Sequence, residues 1–499
     1  MAYSKMCKAG VCTAALLTGS AALADVTAED VWTNWQDTLT GMGNVTVETG
    51  EEAMDGDTLT VPDVVMTVAD DASTVTMEMG DLTFTENGDG TVTFEMADSY
   101  PIMIEDEAGG SVTLTVSQSG ASYVASGDPD AINYDISADS YSISASEMTG
   151  PEGEAMDGSF DVTLNDIAGT YATTAGDLQD MVTDLTAASV DMAVDLTDET
   201  GERFTLNGAI EDLAANVQIA MPADADFENP DNIFTDGLAV AATYSLGSGT
   251  YDFGVESTDG NVAGTAQTGA TNVEVSLDNE GVLYDVSATD LAVEVEPGAA
   301  MPLPVSVSMG EYAVRFNMPL AATADPTEFG LGFTLADLVI NDELYQMFDP
   351  QGVLPREPAT LRIDLSGMGK LFFDVMDPEQ ADAMAMAEVP GELNSLDLNE
   401  LTLRLAGATV DGSGALTFDN SDLESFNGMP APEGDVTIVI GGANALIDDL
   451  VEMGLIPEDQ AMMSRMMVGM FAKASGEDEL TSTIEFRDGS IFANGQQVY

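Results

Sequence analysis

The chain has 499 residues, of which 89 are acidic and only 11 are basic, so its formal net charge at pH 7 is −78. A nucleic-acid-binding protein needs a basic surface that replaces phosphate counterions, and this composition excludes that class. The sequence contains no histidine, and its only cysteines are Cys7 and Cys12. The chain therefore has no histidine for a catalytic triad or a metal site. Beyond residue 12 it also has no cysteine that could act as a thiolate nucleophile.

The first 24 residues have the pattern of a secretory signal peptide. Lys5 and Lys8 form a short basic segment, residues 9–21 are uncharged and mildly apolar, and the small-x-small pattern Ala-Leu-Ala ends at Ala24. We expect cleavage between Ala24 and Asp25, which places the protein in the periplasm or the extracellular medium. The apolar stretch is shorter than the ~20 residues of a membrane span, and no transmembrane segment is predicted after it.

The predicted exported chain, residues 25–499, is acidic along its length, and no Lys or Arg occurs between Asp25 and Glu202. Self-repulsion of this charge must be screened by ions. The Debye length is about 8 Å at physiological salt and about 3 Å at 1 M, so salt is expected to stabilise the fold. Calcium bound to surface carboxylates is a second interpretation, since calcium prefers oxygen ligands. No other cofactor is predicted.

Residues 27–40 form the first predicted element, a leading helix. Thr27 and Asp30 are spaced as a capping-box variant, and apolar residues follow on one helical face. Both tryptophans of the chain, Trp32 and Trp35, lie on that face. We expect the helix to dock on a sheet as a lid. The alternative is a face that contacts a ligand or a membrane surface.

From about residue 44 the pattern changes to strict alternation of apolar and polar side chains, as in residues 91–96 and 111–116. This period of two is typical of half-buried antiparallel strands, and Gly-, Asp- and Asn-rich turns separate the segments. The alternation continues to about residue 219, and a second β-rich run covers residues 238–318.

A loop at residues 221–230 marks the predicted boundary between two β-rich halves, 25–220 and 221–499. The second half mixes helices with its strands. Proline, glycine and asparagine punctuation bounds these helices. They are predicted near residues 341–348, 377–388, 444–453 and 457–473.

Candidate chemistry is sparse. With 89 carboxylates, the proximity of any two carries almost no information about acid–base catalysis, and the one Ser–Lys spacing, Ser366 and Lys370, lies beside a glycine-rich bend. We therefore predict no catalytic residue and no enzyme activity. Acidic turns such as Asp128 and Asp130 do not complete the spacing of an EF-hand loop, so no metal ligand is predicted either.

Methionine is unusually frequent, with 29 residues, and a cluster of them follows helical spacing near the C-terminus. Methionine fills irregular cores and also lines adaptable apolar grooves. Core packing is the first interpretation, a groove for acyl chains or a partner the second, and a copper(I) thioether site the third. The cluster consists of Met462, Met463, Met466, Met467 and Met470.

The strand ends and turns of the C-terminal half carry a resemblance to a known family. The motifs are LNELTLRLAGA at 398–408, GSGALTFDN at 412–420, GMPAP at 428–432, GLIP at 454–457 and DGSIFANGQ at 488–496, with DVTAEDVW at 25–32. Together they resemble an uncharacterised alphaproteobacterial envelope family, domain of unknown function 2125. The resemblance extends over most of the predicted exported chain and transfers no catalytic residue.

The order of strands, helix and Gly-Leu-Ile-Pro is also similar to the ends of AsmA-type envelope proteins. That likeness implies long sheets that curl into grooves for lipids. This sequence departs from those proteins in that residues 1–24 are expected to be a cleaved signal peptide rather than an N-terminal membrane anchor.

These observations predict a mainly β protein with a long, twisted antiparallel sheet that curls into a groove and a few packed or capping helices. Helices 27–40 and 443–473 are expected to shield its apolar face. The function predicted is that of a non-enzymatic exported protein that binds lipid or another apolar ligand in the groove. The alternative is an acidic structural or surface protein stabilised by salt or calcium.

Overall fold

The computed structural model describes residues 25–41, 44–69, 72–107, 109–150, 155–198, 200–223, 225, 232–387 and 389–499. The predicted signal peptide, with both cysteines, lies outside the described residues. In the described part, 27 strands pair into one sheet in which every pairing is antiparallel, and five α-helices accompany it. The prediction of a mainly β fold with a long antiparallel sheet is confirmed.

The sheet begins with short strands and continues with strands of about 20 residues. The first twelve are β1 Val45–Glu48, β2 Ala53–Asp55, β3 Thr58–Ala69, β4 Ser73–Glu86, β5 Val92–Glu95, β6 Ser99–Asp106, β7 Ser111–Ser119, β8 Ser122–Asp128, β9 Ala131–Thr149, β10 Ala155–Thr174, β11 Leu178–Thr197 and β12 Arg203–Pro222.

The second part of the sheet holds fifteen strands. They are β13 Ala239–Leu246, β14 Gly249–Glu256, β15 Val262–Thr268, β16 Thr271–Leu277, β17 Gly281–Val295, β18 Val305–Pro319, β19 Thr327–Ile340, β20 Ala359–Leu371, β21 Gly391–Leu405, β22 Ala408–Asp419, β23 Ala431–Gly441, β24 Lys473–Gly476, β25 Glu479–Arg487, β26 Ser490–Ala493 and β27 Gln496–Gln497.

The helices agree with the sequence predictions to within about two residues. They are α1 Ala28–Gly41, α2 Asp342–Phe348, α3 Pro378–Met386, α4 Ala443–Glu452 and α5 Glu458–Phe471. The predicted cap of α1 forms as a reciprocal pair, because the Thr27 backbone N–H donates to Asp30 Oδ2 at 2.9 Å and the Asp30 N–H donates to Thr27 Oγ1 at 3.2 Å. None of the described helices is both long and apolar enough to cross a bilayer.

Most strands pair with the next strand along the chain, so the sheet grows as an extended ribbon. At six places two short strands lie end to end along one longer strand: β1 and β2 on β3, β5 and β6 on β4, β7 and β8 on β9, β13 and β14 on β12, β15 and β16 on β17, and β24 and β26 on β25. Because β12 pairs with both β13 and β14, the hydrogen-bonded ladder runs through the predicted boundary between the halves.

A row of backbone irregularities crosses the middle of the long strands, and we call it the crease. Asp166 in β10, Asp212 in β12, Asp290 in β17 and Asp337 in β19 all have positive φ, between 49° and 56°. Aspartate tolerates this left-handed conformation because its short polar side chain can hydrogen-bond locally. Bulge-like irregularities of this kind bend a strand and increase its twist.

The crease is continuous across neighbouring strands, because small residues lie beside its aspartates. A Cβ atom on Gly310 in β18 would come within 3.2 Å of the Asp337 side chain, and one on Gly247 would come within 3.2 Å of Asp212 Cβ. At Gly247 a Cβ atom would also come within 2.7 Å of the Glu211 carbonyl oxygen, so glycine is required there for close approach.

At the crease the alternation in each strand slips by one residue, which keeps the apolar side chains on one face of the sheet. The slips fall between Leu164 and Ile167, Ala187 and Val190, Ile210 and Leu213, Ala288 and Leu291, and Leu335 and Leu338.

The main hydrophobic core lies under α1, at the start of the ribbon. Trp32 is 2% exposed and stacks on Trp35, with ring centroids 5.5 Å apart, and it also contacts Phe84 at 5.7 Å. Buried apolar residues of β3–β9, including Phe94 and Ile132, complete this cluster. The helix stripe read from the sequence thus packs on the sheet as predicted.

Candidate functional site on the apolar face of the sheet

One ladder position can be followed across twelve strands of the ribbon, from β10 to β23, and we call it the apolar row. The residues directly paired along it are Tyr171, Thr183, Val217, Ala242, Val275, Tyr284, Phe316, Leu331, Leu365, Leu398, Gly414 and Val436. All but Thr183 and Gly414 are apolar. At the 4.7–4.9 Å spacing of adjacent strands, the row measures about 50 Å.

Large side chains on this face remain open to solvent. Tyr284 is 44% exposed and Leu331 47%, and in flanking positions on the same face Tyr244 is 40% and Phe204 39% exposed. A second sheet or a helix packed on these residues would bury them, as α1 buries Trp32. This part of the apolar face is therefore uncovered by the described residues.

The accessible surface of the protein supports the same conclusion. It amounts to 28565 Å², whereas a compact monomer of 52 kDa exposes about 17,500 Å². The uncovered face of the sheet contributes to this excess. Contiguous exposed apolar patches larger than about 300–600 Å² typically mark binding surfaces.

The opposite face of the same strands is acidic. Asp184, Glu274, Asp285, Asp364 and Glu400 occupy one ladder row there, together with one basic residue, Arg315. A broad hollow of about 790 Å³ lies on this side between β10 and β17, and short polar side chains and carboxylates line much of it. The ribbon is thus amphipathic, with one oily and one anionic face.

Helix α1 closes the apolar face at its N-terminal end. Beyond the tryptophan cluster, its polar side chains reach successive strands: Tyr134 OH donates to Asn34 Oδ1 at 3.0 Å, and Gln179 Nε2 of β11 donates to Thr38 Oγ1 at 3.2 Å. These bonds fix the helix over β9–β11, where the uncovered region begins. Helix α4, which was expected together with α5 to shield the face as well, lies at the strand ends, where Leu446 and Leu450 meet the end of β19.

Helices α2 and α4 line a cavity of about 410 Å³ at these strand ends, on the same face as the apolar row. Leu338 and Ile340 at the end of β19 form its floor, and Leu446 and Leu450 of α4 form one wall. Phe348 at its mouth is 52% exposed. The size and apolar lining are those of small-molecule pockets.

One guanidinium faces this cavity. Arg356 forms an ion pair with Asp342, and its Cζ lies 5.0 Å from the centre of the Tyr345 ring. The loop that carries Arg356 is held by Asp349, which is fully buried and accepts the backbone N–H of Val353 and of Leu354, each at 3.0 Å. Burial raises the pKa of Asp349, but these N–H donors and Arg356 hold it below its ordinary value.

The remaining resolved pKa shifts belong to structural groups. Burial under α1 raises the pKa of Tyr134, and Thr200 and the backbone of its turn lower the pKa of Asp198. Each of the seven arginines after residue 24 pairs with a carboxylate in the described structure, so the basic residues form no cluster for an anionic group. Within the described ranges, no three His, Cys, Asp or Glu side chains are grouped to hold a metal ion.

The residues singled out from the sequence fall into two places. Trp32 and Trp35 lie in the core under α1, at the start of the apolar face. The methionine cluster lies on the outside of α5 and is 55–67% exposed, so the interpretation as core is wrong. Alternation in the sequence predicts many of the strands that form the apolar row, but it does not single out the residues of the row. Their signal is the alternation of each strand, continued across the slip at the crease.

Comparison with known proteins gives one match. A family model described as uncharacterized protein conserved in bacteria (DUF2125) matches residues 238–498, from the start of β13 through all of α2–α5. This is the C-terminal half of the chain, a shorter stretch than the sequence motifs suggested. No curated protein and no solved structure matches the chain.

Proposed function

Because the chain belongs to the DUF2125 family of uncharacterized bacterial proteins, we propose its function from the surface that the fold exposes: it is an exported, non-enzymatic envelope protein that holds an apolar ligand on the apolar row. The observation that carries this proposal is the half-exposure of Tyr284 and Leu331 within one mostly apolar ladder row. Each methylene group that leaves water for this face gains about 0.8 kcal/mol.

The shape and charge of the ribbon favour a lipid acyl chain as the ligand. The row is long and narrow, about 50 Å by the strand spacing, which suits extended hydrocarbon better than a compact ring system. The cavity lined by α2 and α4 adds a second apolar surface on the same face, several residues along β19 from Leu331. With a net charge of −78, the protein repels anionic headgroups, so a lipid without net negative charge is the proposed class.

The test uses the purified exported chain and vesicles of zwitterionic phosphatidylcholine that contain a phosphatidylcholine with a fluorescent acyl chain. After separation by size, wild type should carry the probe. Leu331→Asp places a charge on the apolar row and should lower the affinity at least about tenfold, because burying an unpaired carboxylate under hydrocarbon is costly. The cost to stability should stay near about 1 kcal/mol, because Leu331 is only half buried.

Thr334→Asp is the matched control, since residue 334 lies on the same strand but alternates to the acidic face. It should bind the probe as wild type does. A wild-type protein that acquires no probe, or equal binding by the Leu331→Asp variant, would contradict the proposal. Native mass spectrometry of protein isolated from its own bacterium then identifies the resident lipid.

An acidic structural protein held by salt or calcium is the second candidate, favoured by the carboxylate row on the opposite face. Its test is the melting temperature as a function of calcium at constant ionic strength. A rise no larger than magnesium gives at the same concentration would remove calcium from this proposal.

A further inference from the structure

The outer face of α5 consists of methionine side chains. On its inner face Ala461 is 2% exposed, and Arg465 Nη2 forms an ion pair with Asp448 of α4 at 2.5 Å. These contacts orient the helix and leave five methionines outside, each 55–67% exposed. Surface helices normally present charged or polar residues to water, so this face requires a separate explanation.

The spacing of these methionines brings several sulfur atoms within reach of one point. Met466 and Met467 are each three or four residues from both Met463 and Met470. Residues three and four apart on a helix have Cβ atoms about 5–6 Å from each other. The methionine side chain has three rotatable bonds, so three of these four thioethers can converge without any change of the backbone.

The choice of residue and the surrounding charge point to a soft cation. Thioether sulfur selects Cu(I), whereas carboxylates select hard ions such as calcium. An apolar docking surface could use leucine or isoleucine equally well, yet α5 contains neither. Asp459 lies one turn before Met463, and the net charge of −78 attracts cations to the whole surface.

We propose that α5 binds one Cu(I) ion through three of the four methionines Met463, Met466, Met467 and Met470. The ligands are neutral thioethers and the ion keeps its oxidation state, so binding requires neither loss of a proton nor transfer of an electron. This site is independent of lipid binding on the apolar row.

The experiment is an anaerobic titration, in the presence of ascorbate, in which the full exported chain withdraws Cu(I) from a coloured bicinchoninic acid complex. Wild type should withdraw one ion per chain. Replacing Met463, Met466, Met467 and Met470 together by leucine should lower the affinity at least about tenfold, since leucine keeps the apolar area and helix propensity but removes the sulfur. The control replaces four exposed methionines elsewhere, Met54, Met347, Met386 and Met429, by leucine.

The control should bind Cu(I) as wild type does. Failure of wild type to withdraw the ion, or unchanged binding in the α5 variant, would overturn the proposal. X-ray absorption at the copper edge of the wild-type complex gives a readout that needs no variant: a shell of sulfur alone supports the site, and a shell of oxygen or nitrogen refutes it.

Discussion

Truncation of Trp32 tests whether α1 is an integral part of the core. The side chain is 2% exposed, packs on Trp35 and Phe84, and donates from Nε1 to Glu52 Oε1 at 2.9 Å. An aromatic side chain buries about 150–250 Å², which corresponds to about 4–6 kcal/mol at 25 cal/mol per Å². Residual burial in the unfolded chain reduces this figure by about 10–40%. We therefore expect Trp32→Ala to cost about 3–5 kcal/mol, the range typical of Trp→Ala substitutions.

The assay is urea unfolding followed by far-UV circular dichroism and by tryptophan emission. Both tryptophans of the chain lie in α1, so emission reports on the docking of this helix alone. Trp35→Ala is the matched comparison, because Trp35 is only partly buried and should cost less. A free-energy change below about 1 kcal/mol for Trp32→Ala would refute the assignment of α1 to the core.

Three further predictions follow from the crease, the buried carboxylate and the charge. Asp290 has a φ of 50°, so Asp290→Val should lower the unfolding free energy by about 1–2 kcal/mol. Asp290→Gly should not lower it, and neither should Ser287→Val, three residues earlier on the same strand. Equal melting temperatures for the two valine variants would exclude strain at the crease. Asp349 has a pKa below its ordinary value, so its carboxylate stabilises the fold fully above the pKa that it has in the unfolded chain, and this stabilisation is lost as pH falls through its pKa in the folded chain. The melting temperature of wild type should therefore exceed that of Asp349→Asn by its full margin at pH 7 and by less in acid. A difference independent of pH would show that the ionised carboxylate does not hold the loop. Raising NaCl from 0.15 to 1 M should raise the melting temperature at pH 7, because the Debye length falls from about 8 to about 3 Å. The same change should raise it much less near the sequence pI of 4.1, where the net charge is small. An equal rise at both pH values would indicate a general effect of salt on apolar burial instead of charge screening.

Local elements could be predicted because their signals lie within a few residues. The capping pair Thr27 and Asp30 fixed the start of α1, and alternation such as that of residues 111–116 identified β7. Proline and glycine punctuation located α2–α5 for the same reason. The amphipathic stripe of α1 also identified its buried face, because both tryptophans lie on the same side of that helix.

The crease shows a signal that is present in the sequence but needs the structure to be recognised. Each slip, such as that between Ile210 and Leu213, resembles an ordinary irregularity when one strand is read alone. Only the ladder places Asp212 and Asp290 in one line across the sheet. Register between strands is a non-local property, and the spacing within a strand does not encode it.

The sequence by itself determined an acidic, histidine-free chain built of half-apolar antiparallel strands with five placed helices, because composition and period depend on neighbouring residues alone. Only the tertiary structure decided which apolar surfaces remain open. The stripe with Trp32 and the stripe with Met466 have similar helical spacing, yet the first is buried and the second is exposed. Burial depends on what packs against a surface, and for α5 and the apolar row the described chain provides no covering layer.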